Sequence, residues 1–156
     1  MRVNLLTGLL GGGAANAAKQ LHKGLDHHGV DVRLWYPAKL KPPPQPDGYV
    51  SAHWKMGPLE RVTETIKFRM HRQSFRPKVR HRPAGMEIFT SPRGAPLTRW
   101  PPASPELGSH EVSDREIIHL HWVAKFIDYQ SFFGSLTENQ IVIWTLHDMN
   151  PFTGGC

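Results

Sequence analysis

The chain has 156 residues, a formal net charge of +6 at pH 7 and 39% hydrophobic residues. This length fits one compact domain, and the apolar content is enough to form a core, which excludes an intrinsically disordered chain. The positive charge indicates anionic partners: phosphates, nucleotides, acidic lipid headgroups and nucleic acid all remain open. Cys156 is the only cysteine, so an intrachain disulfide is excluded and a reducing compartment is expected.

The sequence contains no apolar stretch close to the ~20 residues that are needed to cross a bilayer. Its N-terminus is similar to a signal peptide in that Arg2 precedes a weakly apolar stretch and the small residues at 15–17. Asn4, Thr7 and the glycines at 11–13 interrupt that stretch. We therefore expect an N-terminus that folds with the domain.

The first 36 residues predict a βαβ unit. Residues 2–7 (RVNLLT) and 30–36 (VDVRLWY) are typical of short strands, the second of which Pro37 ends. Between them, apolar residues recur with helical spacing until Gly29, which favours the C′ position of a helix. Two strands joined in this way lie parallel, with a right-handed crossover. The predicted apolar face of the helix consists of Ala14, Ala17, Ala18, Leu21 and Leu25.

Two Pro-rich stretches, at about 37–58 and 91–109, interrupt the regular pattern. They show little periodicity, so they predict long irregular insertions in the domain. Pro58 favours the start of a helix that continues to about His71, and residues 86–90 form a candidate short strand. The predicted apolar face of this helix consists of Leu59, Val62, Ile66 and Met70.

The segment Arg61–Arg82 carries a run of positive side chains. A basic helix with an apolar face can lie on an anionic membrane surface or grip nucleic acid, and it can equally be a solvated helix packed on the domain. The signature of a nucleic-acid-binding module is missing, so nucleic acid is not an expected partner. The basic residues are Arg61, Lys67, Arg69, Arg72, Arg76, Lys78, Arg80 and Arg82.

Regular structure returns at Glu116. Residues 116–123 and 140–146 are typical of strands, and residues 124–136 of a helix, which gives a second βαβ-like unit. Together the two units predict an α/β, Rossmann-like, three-layer domain with a mostly parallel sheet. We expect it to form a single domain over residues 1–156.

A glycine-rich turn, Gly11–Gly13, joins the first strand to the first helix. Such a turn directs backbone N–H groups and the positive end of the helix dipole into open space, which favours phosphate binding. A dinucleotide site would have Gly or Ala at position 16, and a P-loop would have Lys followed by Ser or Thr after Gly13. Asn16 and the pair Ala14-Ala15 stand there instead. NAD and ATP are therefore not expected, and close packing of helix on sheet is the alternative role of the glycines.

His119 and His121 are two residues apart in a predicted strand, so both side chains are expected on one face of the sheet. Two histidines at this spacing can bind a metal together with His147 or Asp148, but metal sites usually show more ligands at firmer spacing. The alternative is hydrogen bonding at a half-buried strand end. Trp122 is either a core residue or a platform on which a sugar stacks.

His147 and Asp148 follow the last predicted strand. The carboxyl ends of parallel strands are where open α/β sheets place the groups that contact ligands. A histidine at this edge can shuttle protons or donate a hydrogen bond to a polar substrate near neutral pH. The position therefore predicts a functional role for His147.

Three stretches of the sequence carry a resemblance to a known family: GGGAANAAKQLHKGLDHHGVDVRLW (11–35), EIIHLHWV (116–123) and VIWTLHDMNPFTGGC (142–156). They resemble the N-terminal half of bacterial glycosyltransferases of family 4, which are retaining enzymes of the GT-B type. The similarity is closest to the subgroup of capsule and exopolysaccharide assembly, in which HLHW and TLHDMxxFTGGC recur. It is highly specific at the C-terminal motif, moderate at HLHW and loose across the Pro-rich middle.

The resemblance implies two Rossmann-like domains that face each other across a cleft, of which this chain is the acceptor-side domain. It implies that Gly11–Gly13 approach the phosphates of a nucleotide-sugar donor, and that His147 lies beside the transferring sugar with Asp148 next to it. The acceptor is implied to be a saccharide or a lipid-linked saccharide. A bound metal or other cofactor is not expected. The residues implied for contact with the acceptor or the sugar are His121, Trp122 and Asn150.

Members of this family usually continue beyond the cysteine into a donor-binding domain. The resemblance therefore implies a fragment of a hexosyl-type transferase that is catalytically incomplete by itself. We expect a cytoplasmic protein, with peripheral contact to the inner membrane face through Arg61–Arg82 and self-association through the face that a second domain would cover. The alternative is a non-catalytic basic module that binds anionic lipid or polymer.

Overall fold

The protein is an α/β domain built on one sheet of five parallel strands, in the order β3-β2-β1-β4-β5. The strands are β1 (Arg2–Leu6), β2 (Val32–Pro37), β3 (Tyr49–Ala52), β4 (Glu116–Leu120) and β5 (Gln140–Trp144), and the helices are α1 (Gly13–His27) and α2 (Tyr129–Gly134). The predicted Rossmann-like fold class is therefore confirmed. The computed structural model describes residues 1–38, 40, 47–52, 62–63, 66, 97, 99–100, 115–124 and 126–147.

The strand order reverses between β1 and β4. From β1 the chain builds outward to β2 and β3, and it then returns to the other side of β1 to add β4 and β5. In open α/β sheets such a reversal opens a crevice at the carboxyl ends of the two strands, and ligands bind there. A ligand-binding site in this domain is therefore expected at the carboxyl ends of β1 and β4.

Each face of the sheet carries its own core. Helix α1 covers one face, and α2 with the turns before it covers the other. Because successive side chains of a strand point to opposite faces, the neighbours Leu5 and Leu6 belong to different cores. Burial of each large apolar side chain contributes about 1.5–3 kcal/mol. The core under α1 contains Val3, Leu5, Ala18, Val32 and Leu34, and the opposite core includes Leu6, Trp35, Ile118, Leu120, Phe126 and Phe132.

The buried face of α1 differs from the predicted one. Ala17 is exposed, whereas Ala15 and His22 are buried together with Ala18. His22 turns inward because its ring packs edge-on against Tyr49 of β3, with the ring centroids 5.0 Å apart. The rest of the predicted face is confirmed, since Ala18 is in the core and Leu21 and Leu25 pack against it. Gly29 ends it with φ 73°, as the sequence predicts.

The Pro-rich stretches contribute more structure than the sequence predicts. The sequence predicts a long loop or an extended flap for the first of them; the structure shows that it contains β3, whose Tyr49 pairs with Leu34 of β2. In the second, Leu97 forms a bridge to Ile127. Trp100 is buried there and donates a hydrogen bond from Nε1 to Glu116, at 2.9 Å. Aromatic and aliphatic side chains between the prolines therefore complete the core.

The second unit is shorter in helix and strand than predicted. The described residues 121–124 and 126–128 are not helical, and α2 has six residues. It begins after Asp128, whose side chain accepts a hydrogen bond from the backbone N–H of Ser131 and so caps the helix. β4 ends at Leu120. His121 and Trp122 therefore follow the strand instead of lying within it.

Within the predicted helix from Pro58, the described positions Val62, Thr63 and Ile66 are helical. Val62 and Ile66 are 58% and 51% exposed, so this part of the predicted apolar face is not packed in the core. The predicted strand at 86–90 lies outside the described residues. In the part of the chain that the structure describes, helices long and apolar enough to cross a membrane are absent.

Candidate functional site

Backbone hydrogen bonds tie together the carboxyl ends of three adjacent strands. After β4, His121 donates its N–H to the carbonyl of Leu6 in β1, at 2.9 Å. Gly8 in turn donates to the carbonyl of Trp122, at 2.6 Å, and Thr145 after β5 donates to Leu120, at 2.9 Å. The segments that follow β1, β4 and β5 are thereby held side by side at one edge of the sheet, next to the point where the strand order reverses.

Gly8 permits the close approach of two of these segments. A Cβ atom at this position would lie 3.0 Å from the carbonyl oxygen of Trp122 and 3.1 Å from Cβ of Phe126. Both distances are tighter than ordinary van der Waals contact, so a side chain here would require its neighbours to move by a few tenths of an ångström. Sequence patterns do not predict this role of Gly8, because its only signal is a glycine two residues after the end of a buried strand.

The glycines Gly11–Gly13 face open space. They are exposed, and among the described residues a Cβ atom on any of them would meet no atom within 4 Å. Gly12 has φ 87°, a conformation that favours glycine. Close packing of α1 on the sheet therefore does not explain these glycines.

The N-terminus of α1 is free of charged or capping side chains within the described residues. Gly12 provides no side-chain cap, and the first turn has no acidic residue. The first N–H groups of a helix have no partner within the helix, so they can donate hydrogen bonds to an anionic group. Lys19 bonds to the carbonyl of Leu10 at 2.6 Å, which fixes the loop in front of this turn.

His119, His121 and His147 form a contiguous group, the histidine row. The rings of His119 and His121 stack with centroids 4.5 Å apart, which confirms that both side chains share one face. His121 Nδ1 lies 3.1 Å from His147 Nε2, and His119 Nε2 lies 2.7 Å from Thr145 Oγ1. The row therefore connects β4 to the segment after β5. The contribution of Thr145 was not foreseen, although it follows β5 on the same face as His119.

Burial favours the neutral form of the row. The pKa of His121 is lowered to about 4, chiefly by burial and further by the neighbouring imidazoles of His119 and His147. Burial also lowers the pKa of His119, with a smaller contribution from His147. His121 and His119 are therefore uncharged near neutral pH, while the ring of His147 is exposed at the outer end of the row.

The row does not have the geometry of a metal centre. Ligand nitrogens of a zinc site converge on one point about 2 Å away from each of them. Here Nδ1 of His121 is directed at a ring nitrogen of His147, and His119 is directed at a hydroxyl. Among the described residues, groups of three or more His, Cys, Asp or Glu side chains placed to hold a metal ion are absent.

Of the remaining predicted site residues, the structure describes Trp122 and His121. Trp122 is half-buried, so part of its surface faces outward. His121 is only 3% exposed, and its polar contact is to His147. Asp148 and Asn150 lie outside the described residues.

The edge of the sheet thus presents a helix N-terminus without a side-chain cap after β1 and an exposed imidazole after β5, with the buried His121 after the intervening strand β4. Comparison of the chain with protein-family models, with curated proteins and with solved structures finds no match in any of the three.

Proposed function

We propose that this chain is the acceptor-side domain of a retaining, family 4, GT-B glycosyltransferase. Such an enzyme transfers a sugar from a nucleotide-sugar donor to a saccharide or lipid-linked acceptor during polysaccharide biosynthesis. The observation that carries the proposal is the position of His147, at the carboxyl edge of a parallel sheet and bonded to the segment that follows β4. The motif that carries the family resemblance and the ligand-binding edge of the fold coincide at this residue.

In this reaction the anomeric carbon exchanges its bond to the donor phosphate for a bond to a hydroxyl oxygen of the acceptor. The hydroxyl proton passes to the leaving phosphate or to solvent, and negative charge develops on the departing nucleoside diphosphate. The free N–H groups at the start of α1 would stabilise that charge, because they are fixed in place before the reaction and need no reorganisation. The open space at Gly11–Gly13 supports such an approach of phosphate to backbone. His147 would donate a hydrogen bond to the sugar or move a proton at its ring nitrogen.

Turnover in this mechanism needs a donor-binding domain opposite the edge. We therefore expect the purified 156-residue chain to bind ligands weakly and to transfer no sugar. Incubation with UDP-, GDP- and ADP-sugars and a set of saccharide acceptors, followed by mass spectrometry of the products, tests this point. Transfer by this chain alone would contradict its assignment as an acceptor-side half.

Binding tests the assignment more directly. We expect millimolar UDP, GDP or ADP to shift the backbone amide signals of Gly12 and Gly13 in an NMR titration of the 15N-labelled chain. The matched nucleosides, which lack phosphate, should leave these signals in place. Shifts confined to the segment Arg61–Arg82 would instead indicate charge attraction without a site, and would overturn the proposed donor-phosphate contact.

A second candidate, peripheral binding to an anionic membrane, has its own supporting observation. Val62 and Ile66 are four residues apart in the sequence, both are at helical positions and both are exposed, in a segment whose sequence is strongly basic. An amphipathic basic helix binds anionic lipid through this combination of apolar contact and charge. Vesicles of phosphatidylglycerol and of phosphatidylcholine, compared by sedimentation, distinguish it: binding to the anionic vesicles should survive His147→Ala and be lost on reversal of the charges in Arg61–Arg82.

A further inference from the structure

We propose that His121 is a positioning residue, which holds Nε2 of His147 so that His147 meets its ligand through Nδ1. The inference rests on the proposed function only in taking His147 as the residue that faces the ligand. It assigns to the buried histidine a role in orienting the exposed one, in place of direct contact with a sugar.

The alignment of the two rings supports a directed hydrogen bond. Their centroids are 5.3 Å apart and their planes are inclined by 26°, while the bonded nitrogens are 3.1 Å apart. The difference between the two distances is close to the sum of the two ring radii, so both nitrogens lie near the line between the ring centres. Because an imidazole nitrogen donates or accepts in the plane of its ring, this arrangement is the one that a hydrogen bond requires.

His121 is itself held firmly enough to orient a neighbour. Its side chain is 3% exposed, its backbone N–H is bonded to Leu6, and its ring stacks on His119. Its Nε2 is buried and has no hydrogen-bond partner among the described residues. Among the described residues, the hydrogen bond between Nδ1 of His121 and His147 is therefore the one polar contact of this ring.

His147 has the opposite character. Its ring is exposed, and rotation about its side-chain bonds costs little at such a position unless a contact fixes it. The bond to His121 occupies Nε2; among the described residues no hydrogen bond to Nδ1 is found, so Nδ1 is the nitrogen that a ligand can meet. Because Nε2 of His121 is buried without a partner among the described residues, a proton on that nitrogen is disfavoured. His121 therefore carries its proton on Nδ1 and donates to Nε2 of His147, which selects the tautomer of His147 with the proton on Nδ1.

The tautomer can be measured without any ligand. Long-range 1H–15N correlation spectra of the imidazole rings, recorded on the 156-residue chain above about pH 7.5, should show His147 with the two well-separated nitrogen shifts of a single tautomer. His27 and His28 are exposed at the end of α1 and serve as internal references with averaged shifts. His147→Gln identifies the signals. If His147 gives averaged shifts like the references, the proposal is wrong.

Variants of the buried residue separate positioning from packing. His121→Asn places an amide near the position of Nδ1 and should preserve the single tautomer, whereas His121→Phe keeps a ring but removes the bond and should produce averaging. His119→Asn removes the stacking ring and leaves the bond, so the tautomer of His147 should persist. Averaging in the Asn variant of His121 would overturn the proposal even if the Phe variant does not fold, as would unchanged nitrogen shifts in a folded Phe variant.

Substitution of His147 identifies the nitrogen that the ligand uses. Asn at 147 keeps a polar atom near the position of Nδ1, and Gln keeps one near Nε2. Because His147 is assigned to the sugar, the UDP-, GDP- and ADP-sugars named above are the probes. With them, Gln should weaken binding by about tenfold relative to Asn, the effect of one lost polar hydrogen bond. The reverse order would contradict the assignment of Nδ1. A single tautomer combined with no binding of any probe would refute the proposed function and leave the positioning role of His121 intact.

Discussion

Burial of His121 makes the free energy of unfolding depend on pH. Its pKa is lowered to about 4 in the folded chain, against about 6.5 in an unfolded chain. As pH falls, the unfolded state therefore binds the proton first, so the contribution to stability is complete above about pH 6.5 and is lost between about pH 6.5 and 4. The loss at His121 corresponds to about 3 kcal/mol, and the lowered pKa values of His119 and His22 act in the same direction.

Urea unfolding followed by tryptophan fluorescence, at a series of pH values across this window, measures the effect. His121→Asn removes the titrating group, so its stability should change less with pH than that of the unmodified chain. Equal slopes in the two proteins would show that His121 is not the source of the pH dependence.

Local periodicity was sufficient to predict part of the histidine row. His119 and His121 lie on one face because side chains alternate along a strand, and this holds one residue beyond the end of β4. The contact between His121 and His147 was not predictable in the same way. It depends on the pairing of His119 with Ile143 across β4 and β5, and a register between distant segments leaves no local pattern.

The connection between β1 and α1 depends on the missing side chain of Gly8. We expect Gly8→Ala to destabilise the domain by about 1–3 kcal/mol, because the new Cβ would displace the carbonyl of Trp122 or the side chain of Phe126. Gly11→Ala is the matched control, since its Cβ would meet open space. Thermal and urea unfolding compare the two. Equal stability of both variants would mean that the close approach at Gly8 is not maintained in solution.

Helix α2 starts where Asp128 caps it. Asp128→Ala should reduce stability by about 1 kcal/mol, because the backbone N–H of Ser131 loses its acceptor. Asp128→Asn retains a side-chain oxygen and should lose much less. Urea unfolding of both variants tests the cap. A loss in the Asn variant as large as that in the Ala variant would indicate that the charge of Asp128, instead of its capping oxygen, stabilises this region.

Sequence patterns predicted well the helix with a helical apolar spacing and the strands that consist of a mainly apolar run. β1, α1, β2, β4 and β5 were each anticipated within a few residues. β3 was missed because four residues are too few to show a period, and because the prolines around it favour irregular structure. The length of α2 was overestimated because the apolar residues before Asp128 pack in turns, with Phe126 and Ile127 in the core.

The described sheet exposes apolar residues at the edge strand β5. Ile141 and Ile143 are 57% and 44% exposed. They lie on the same face of the sheet as α1, but α1 covers this face at β1 and β2. We expect the chain to associate with itself as its concentration rises, since apolar edge strands pair readily. Sedimentation velocity over a range of concentrations measures this. The double variant Ile141→Thr and Ile143→Thr keeps β-branched residues and should remain monomeric; equal association in the variant would exclude β5 as the contact.

The strand order also determines when the domain can fold during synthesis. β1 is the central strand, but its partner β4 begins only at Glu116. At ~5–20 residues per second, translation of residues 53–115 lasts on the order of 3–13 s. In that interval β1 to β3 have been made, while Ile118, Leu120 and Phe132, which complete the core around Leu6 and Trp35, do not yet exist. We therefore expect the nascent half-sheet, more than the finished domain, to be the form that needs a chaperone.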